Sequence, residues 1–203
     1  MTEEEARAWI VDRWDERSAA RLEHFASLVV EENQRQNLIS AASIPSIWAR
    51  HLVDSAQLAP LAGGREGLWV DVGTGGGFPG MIVAALRGGD TLLVEPRRKR
   101  AEFLKRAVNE LGLDNTTVFG GRVEALTHSA DVISGRAVAA PEKFFALTRG
   151  VASPDTLFLL PSGRDAQLAV VEAERRWRGV FHVEQSVTEP ASKIITATMI
   201  TPR

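Results

Sequence analysis

The residues best suited to chemistry stand together in Trp69-Val-Asp71-Val-Gly73-Thr-Gly75-Gly-Gly77-Phe78-Pro-Gly80. An apolar run ends in an acid, passes through glycines and leads into a helical pattern near Met81. Glycines admit positive φ and let a ligand approach the backbone without a Cβ in the way. A second acid, Glu95, closes the next apolar run 24 residues after Asp71. In an open α/β sheet that is the place of a carboxylate accepting hydrogen bonds from a ribose diol.

Two cofactors use such a loop. Gly75-x-Gly77-x-x-Gly80 satisfies the dinucleotide pattern, which puts a pyrophosphate at a helix N-terminus. Asp71-x-Gly73-x-Gly75-x-Gly77 matches the S-adenosylmethionine loop, whose ligand is cationic and lacks phosphate. The strand-terminal acid two residues before the first glycine repels a pyrophosphate. The chain also has no Tyr for a Tyr-x-x-x-Lys pair and no Cys for redox chemistry. Both features favour S-adenosylmethionine over a nicotinamide, and over a glycine loop that only turns the chain.

Residues that are missing narrow the methyl acceptor. Pyrimidine C5 methylation needs a Cys nucleophile, and there is none. Exocyclic amines are served by an Asn/Asp-Pro-Pro-Tyr/Phe loop after the fourth strand, where this chain has Ser134-Gly-Arg136-Ala137. A ring nitrogen such as guanine N7 owns an in-plane lone pair and no proton, so it needs positioning and electrostatics, not a general base. Small-molecule acceptors stay open on this argument.

These residues need elements to carry them. The chain has 203 residues, 44% of them apolar and 25% charged, enough for one large domain or a domain with an appendage. Residues 1–60 read as amphipathic helices: Trp9, Ile10, Trp14, Leu22, Phe25, Leu28 and Val29 recur at three- and four-residue steps. Ser43-Ile-Pro45 opens a further helix carrying Trp48, His51, Leu52 and Leu58, and Gly63-Gly64 closes the block. From Leu68 onward the pattern alternates. Strands are expected at 68–72, 91–95, 116–119, 131–134 and 156–160, with helices near 80–87, 97–111, 122–127, 141–148 and 164–177. The segments 180–187 and 193–200 follow without a helix between them and read as an antiparallel pair. The expectation is a Rossmann-like, mostly parallel α/β sheet of the class I S-adenosylmethionine-dependent methyltransferase type at 61–203, with a helical segment at 1–60 packed on it.

Charge is unevenly spread. Residues 1–60 carry six basic and ten acidic side chains, whereas Arg97, Arg98, Lys99, Arg100, Lys105 and Arg106 crowd beside only Glu102. Such a face suits RNA phosphates or a solvated helix surface. No apolar run is long enough for a membrane span, and Met1-Thr-Glu-Glu-Glu is acidic where a secretory signal is basic. A cytoplasmic protein is expected. The histidines share no metal-ligand spacing, so no metal is expected. Arg50 and His51, taken alone, could simply pair with Asp54 or cap a neighbouring helix.

The motifs together resemble the bacterial small-subunit ribosomal RNA methyltransferase G family, also called glucose-inhibited division protein B. The matching blocks are Asn37-Leu-Ile-Ser40, Ile47-Trp-Ala-Arg50-His51-Leu-Val-Asp54-Ser55 and Val70–Gly80, followed by Lys99-Arg100-Ala-Glu-Phe103-Leu104, Gly121-Arg-Val-Glu124 and Ser134-Gly-Arg136-Ala137. The Arg-His-x-x-Asp-Ser block is the most specific, because methyltransferases in general do not carry it. The chain departs after strand five, where Pro161-Ser162-Gly163 stands in place of the family's Lys-Gly. The resemblance implies S-adenosylmethionine-dependent N7 methylation of a guanine in the decoding-centre loop of 16S ribosomal RNA, free or in an assembling small subunit; a monomer is the separate expectation. The resemblance also implies that Gly73 and Phe78 line the cofactor site, beside the Asp71 and Gly75 that the loop motif already offers, that Val123 and Glu124 flank the adenine, and that Arg136 sits near the methionine end or the target base as the catalytic candidate. Glu95 is placed by strand position alone. Competing expectations are methylation of a small molecule or another RNA nitrogen, and a non-catalytic S-adenosylmethionine-binding RNA module.

Overall fold

The computed structural model describes residues 1–203. Its centre is a seven-stranded sheet in the order β3-β2-β1-β4-β5-β7-β6. The strands are β1 (Trp69–Val72), β2 (Thr91–Val94), β3 (Thr116–Phe119), β4 (Ala130–Ser134), β5 (Ala152–Ser162), β6 (Trp177–Gln185) and β7 (Lys193–Pro202). The first five are mutually parallel, and β7 runs antiparallel between β5 and β6. All four residues of β1 are buried, as expected of a parallel strand covered on both faces. Strand order reverses between β1 and β4, so a crevice opens at their carboxyl ends.

The helices are α1 (Glu3–Arg13), α2 (Glu16–Glu32), α3 (Asp54–Ala56), α4 (Leu58–Leu61), α5 (Gly80–Leu86), α6 (Arg98–Glu110), α7 (Pro141–Leu147) and α8 (Ala166–Glu174). One sheet face packs on α7 and α8 through Val70, Val72, Ile133, Phe144, Phe158 and Val170. The other face meets α5 and α6. There the amino-terminal helices join the same core, with Ile10, Leu22, Phe25 and Val29 clustered with Phe78, Met81, Leu93 and Phe103. Strand periodicity of two puts Trp69 and Asp71 on this second face, beside Val132 and Ser134 of β4. No helix is long and apolar enough to cross a membrane.

Five expected elements differ in detail. The helix read at 122–127 is a single 3₁₀ turn, Val123–Ala125, too short to pack a hydrophobic face. The helix read at 164–177 ends at Glu174, and β6 begins at Trp177, three residues before the expected strand. Trp177 belongs to the sheet because its ring packs edge-on to Phe145 and its Nε1 donates to the Glu142 carbonyl at 2.9 Å. β5 starts at Ala152, ahead of Thr156. The helix read from Ser43 onward is a 3₁₀ segment (Ala41–Ser46), a π-helix (Trp48–Val53) and then α3.

Candidate functional site

The loop after β1 is tied down from below. Asp71 is fully buried; its Oδ1 accepts from Ser134 Oγ at 2.6 Å and its Oδ2 from the Gly80 N–H at 3.1 Å. Ser134 in turn accepts from Trp69 Nε1 at 2.8 Å. The parallel register that sets Asp71 opposite Ser134 makes this chain possible. Burial drives the Asp71 carboxyl up to about 6, against the hydrogen bonds that favour its charged form. Asp71 therefore lies beneath the loop and does not face a ligand, which corrects its expected place at the cofactor surface. It holds both ends of the loop instead.

That arrangement separates the two cofactors. A dinucleotide's pyrophosphate needs free amides at the start of the following helix. Here the first amide of α5, on Gly80, is already taken by a carboxylate. The acid after β2, Glu95, is likewise buried and is tied to the loop from its side, its Oε2 accepting from the Gly75 N–H and its Oε1 from the Arg97 N–H, both at 2.8 Å. Gly73, Gly75 and Gly77 all have positive φ, at 69°, 60° and 105°. A Cβ at Gly75 would have only Arg100 Nη1 and the Gly73 carbonyl nearby, each at 3.6 Å, so that stretch of the loop is open. A loop partly accessible at Gly73 and Gly75, the Glu95 carboxylate bonded to it and a Gly80 amide already taken fit S-adenosylmethionine better than a dinucleotide.

The other expected residues lie on the turns that follow β1, β3 and β4. Val123 is buried and Glu124 exposed in the 3₁₀ turn after β3. Phe78, buried, closes the loop and packs at a tilt against Phe25 of α2, ring centres 5.6 Å apart. Arg136 follows β4, and Ala137 beside it adopts φ 56°, an uncommon conformation for a residue with a Cβ. This turn lays Val138 on the loop: a Cβ at Gly73 would lie 2.7 Å from its Cγ2.

Arg136 is the hub of a second cluster. Its Nη1 donates to Asp54 Oδ2 at 3.1 Å and to the Arg50 carbonyl at 3.3 Å, and its Nη2 donates to His51 Nδ1 at 3.0 Å. Its guanidinium also lies 5.3 Å from the centre of the Phe78 ring, which packs 5.0 Å from the His51 ring. His51 Nε2 reaches Ser43 Oγ at 2.9 Å, and Ser43 donates to the Ser40 carbonyl at 2.8 Å. Burial first, then the Arg136 and Arg50 charges, press the His51 pKa down to about 4, so the ring is neutral. Burial raises the Asp54 carboxyl, and Arg136 opposes that rise. Asp54 Oδ1 is held by Gln57 Nε2 at 3.2 Å and Thr188 Oγ1 at 3.5 Å.

The π-helix explains how these groups converge. Its wider turn places Arg50 and His51 at the C-terminal end of the strands, and such turns recur at functional sites. Glu3 of α1 anchors it, its two carboxylate oxygens accepting from the Trp48 and Ala49 N–H groups at 2.9 Å each. His51, Asp54, Ser43 and Glu3 were not among the residues expected to form the site. The Arg50-His51-x-x-Asp54 spacing was the available signal for the first two. Beside the cluster lies a cavity of about 540 Å³, lined by Arg50, His51, Asp54, Arg136, Glu189 and Ser192 among others. A larger cavity, about 880 Å³, lies at the opposite, amino-terminal ends of the strands among Arg13, Arg65 and Arg87, away from this chemistry.

The basic run is only partly free. Arg100 donates to the Asn37 carbonyl and Arg106 pairs with Glu32, both at 2.8 Å, whereas Arg98 is highly exposed with a loose 3.6 Å contact to Glu102. The structure holds no group of three or more His, Asp and Glu side chains arranged for a metal.

Comparison with known proteins accords with this geometry. The family model described as rRNA small subunit methyltransferase G matches residues 18–194. A protein of Rhizorhabdus wittichii named Ribosomal RNA small subunit methyltransferase G is 44% identical, with 100% of this chain and 95% of that protein covered. One of the same name from Novosphingobium aromaticivorans is 43% identical, covering 98% and 90%. Among solved structures, a SAM-dependent methyltransferase from Aquifex aeolicus aligns with a TM-score of 0.60 at 20% identity, over 76% of this chain and 93% of that one. A glycopeptide N-methyltransferase complexed with (S)-adenosyl-L-methionine gives 0.62 at 13% identity, over 73% and 94%. These structural likenesses show the fold, that of class I methyltransferases.

Proposed function

Because the chain belongs to the rRNA small subunit methyltransferase G family, we propose that it methylates N7 of a guanine in the decoding-centre loop of 16S ribosomal RNA, with S-adenosylmethionine as donor. The observation that carries the reading is the junction at Phe78. Its ring belongs to the glycine loop and packs against the Arg136–His51 pair, which supports a reading in which cofactor and acceptor base meet at this junction.

S-adenosylmethionine, when bound, supplies a methyl group already activated by its sulfonium. Glu95 would hold the ribose hydroxyls, Gly73, Gly75 and Phe78 would line the methionine end, Val123 and Glu124 would flank the adenine, and Asp71 would fix the loop. Guanine N7 loses no proton on methylation, so the chain needs no general base. A neutral His51 and an Arg136 locked in an ion pair suit that demand. Both orient, and neither carries a proton between groups. Arg136 would stand at the border of cofactor and base, fixing the base electrostatically.

Residues 61–203 would form the methyltransferase domain, with 1–60 as the helical segment that completes the RNA cleft. Arg97 and Arg98 would meet RNA phosphates. The protein would act as a cytoplasmic monomer on small-subunit RNA, free or in an assembly intermediate. Tritiated methyl transfer to undermodified 16S RNA, followed by nuclease mapping, tests the proposal. Label recovered as 7-methylguanosine at one position supports it. Label in another nucleoside or in a small-molecule pool, or cofactor binding without transfer, refutes it. Arg97→Ala with Arg98→Ala should lower the salt dependence of RNA binding by up to about two log units per log unit of salt.

A further inference from the structure

We propose that Glu189 is the residue that identifies the acceptor base, by taking hydrogen bonds from guanine N1–H and N2–H₂ in the cavity beside Arg136. The inference rests on the guanine-N7 reading above and deepens it. Two carboxylates line this cavity, Asp54 and Glu189. Both oxygens of Asp54 are occupied, one by Arg136 and the other by Gln57 and Thr188. Glu189 is exposed, and its carboxylate has no hydrogen-bond or ion-pair partner within the chain.

The backbone that carries Glu189 is nonetheless fixed. The Ser192 N–H closes a turn onto the Glu189 carbonyl at 3.0 Å. The Gln185 amide lies 3.1–3.3 Å from the carbonyls of Ser186, Glu189, Pro190 and Ser192, and Lys193 Nζ holds the other end of that amide. Ser186 Oγ is tied to Gln57 Nε2 at 3.0 Å and accepts the Thr188 N–H at 3.2 Å. The β6–β7 connection also sits on the correct side of the sheet. Lys193 at the start of β7 pairs with Ser162 at the carboxyl end of β5, the same edge that carries the glycine loop. A rigid turn thus presents one unpartnered acceptor to the cavity that Arg136 borders.

Guanine shows two adjacent donors on the edge remote from N7, a match for a carboxylate. Adenine shows an acceptor at N1 and has no N2 amine, so it would face Glu189 with a repulsive lone pair. Methylation at N7 also leaves the ring positively charged, which makes N1–H a stronger donor. The hydrogen bond to Glu189 therefore strengthens as the reaction proceeds, the condition for lowering a barrier and not merely for binding. The neutral state of His51 helps, since a second cation there would oppose the developing charge.

The test uses the full-length protein and a decoding-loop RNA whose target guanosine is replaced by inosine, which keeps N1–H and lacks the N2 amine. Affinity, in the presence of S-adenosylhomocysteine, and kcat/KM are compared for the wild type, Glu189→Gln and Glu189→Ala. The wild type should prefer guanosine by about fivefold or more in both readouts. In Glu189→Ala that preference should shrink to near unity, with kcat for guanosine down by at least tenfold. Glu189→Gln, which keeps one acceptor, should fall between. A wild type that treats the two bases alike, or a Glu189→Ala protein that keeps the full preference, overturns the assignment. If the wild type methylates neither RNA while binding both, the N7 reading itself fails, and the role of Glu189 falls with it.

Discussion

Arg136 Nη2 stands 3.0 Å from His51 Nδ1, and that single contact fixes a tautomer. A guanidinium only donates, so Nδ1 must accept and the imidazole proton resides on Nε2. Nε2–H then donates to Ser43, and Ser43 to the Ser40 carbonyl. The ring is an oriented strut between the β4 turn and the 3₁₀ segment.

This strut gives a pH prediction. The folded pKa of His51, about 4, lies below the ordinary histidine value near 6.5. The unfolded chain thus binds the extra proton in that window. The His51 contribution to stability is complete above about pH 6.5 and is lost as pH falls towards 4. Imidazole ¹⁵N spectra should show the neutral Nε2–H form of His51 persisting to pH 5. The thermal midpoint should drop more between pH 6.5 and 4.5 in the wild type than in His51→Gln. A His51 titration near pH 6.5 would contradict the strut.

Asp71 behaves with the opposite sign. Its folded pKa of about 6 exceeds the ordinary carboxylate value, so the folded chain holds the extra proton between about pH 4 and 6. Its titration therefore favours folding as pH falls through that window, while protonation removes an acceptor from Ser134 or Gly80 and loosens the loop. Cofactor affinity should weaken several-fold from pH 7 to 5 without a matching loss of stability from this group. Asp71→Asn should weaken binding at every pH and flatten the profile. Calorimetric titration reads both, and a flat wild-type profile would count against the coupling.

Trp69→Phe removes the N–H that Ser134 accepts and little else, because the ring stays in the core. The loss of one buried hydrogen bond should cost about 1 kcal/mol and lower the melting temperature by roughly 2–4 °C. Cofactor affinity should fall modestly alongside. No change in either would mean that Ser134 is oriented without the indole.

Glu3→Ala strips the acceptor from two amides of the π-helix, at Trp48 and Ala49. It should destabilise the protein by about 1–3 kcal/mol and lower kcat through Arg50 and His51, with S-adenosylmethionine affinity nearly unchanged. Glu3→Gln, which keeps one acceptor, should recover part of kcat. Equal losses of cofactor affinity and kcat would show a general effect on folding.

The glycines of the loop should separate by function. A Cβ at Gly77 would lie 2.3 Å from Phe25 Cζ, so Gly77→Ala should disturb the packing of α2 and lower stability by several kcal/mol. A Cβ at Gly75 meets nothing closer than 3.6 Å, so Gly75→Ala should cost only about 1 kcal/mol for its positive φ. Its larger effect should be on cofactor binding. Paired thermal melts and titrations distinguish the two.

The strand sequence was legible because apolar β-branched runs alternate with amphipathic ones, and the glycine loop because its spacing is local. The place of Glu95, directly after β2, was legible from the strand pattern. What was not legible depends on contacts between distant residues. The 3₁₀ and π turns around Ser43–Val53 share the three- and four-residue spacing of an α-helix, so periodicity does not separate them. Glu3 meets Trp48 across 45 positions, and Asp71 meets Ser134 across 63. The Asp71 role was misplaced for that reason: an acid before a glycine loop looks like a ligand group until its partner on the neighbouring strand is known. At Glu174-Arg-Arg-Trp177 the charges prolong a helical pattern, and only the packing of Trp177 on Phe145 shows that a strand has begun.

A crystal structure with S-adenosylhomocysteine bound would show where the nucleoside sits. The nucleoside should lie against Gly73–Gly77, with its ribose hydroxyls on the Glu95 carboxylate and its sulfur directed towards the cavity beside Arg136. A ligand bound away from that loop, or one whose ribose leaves Glu95 unengaged, would contradict this placement.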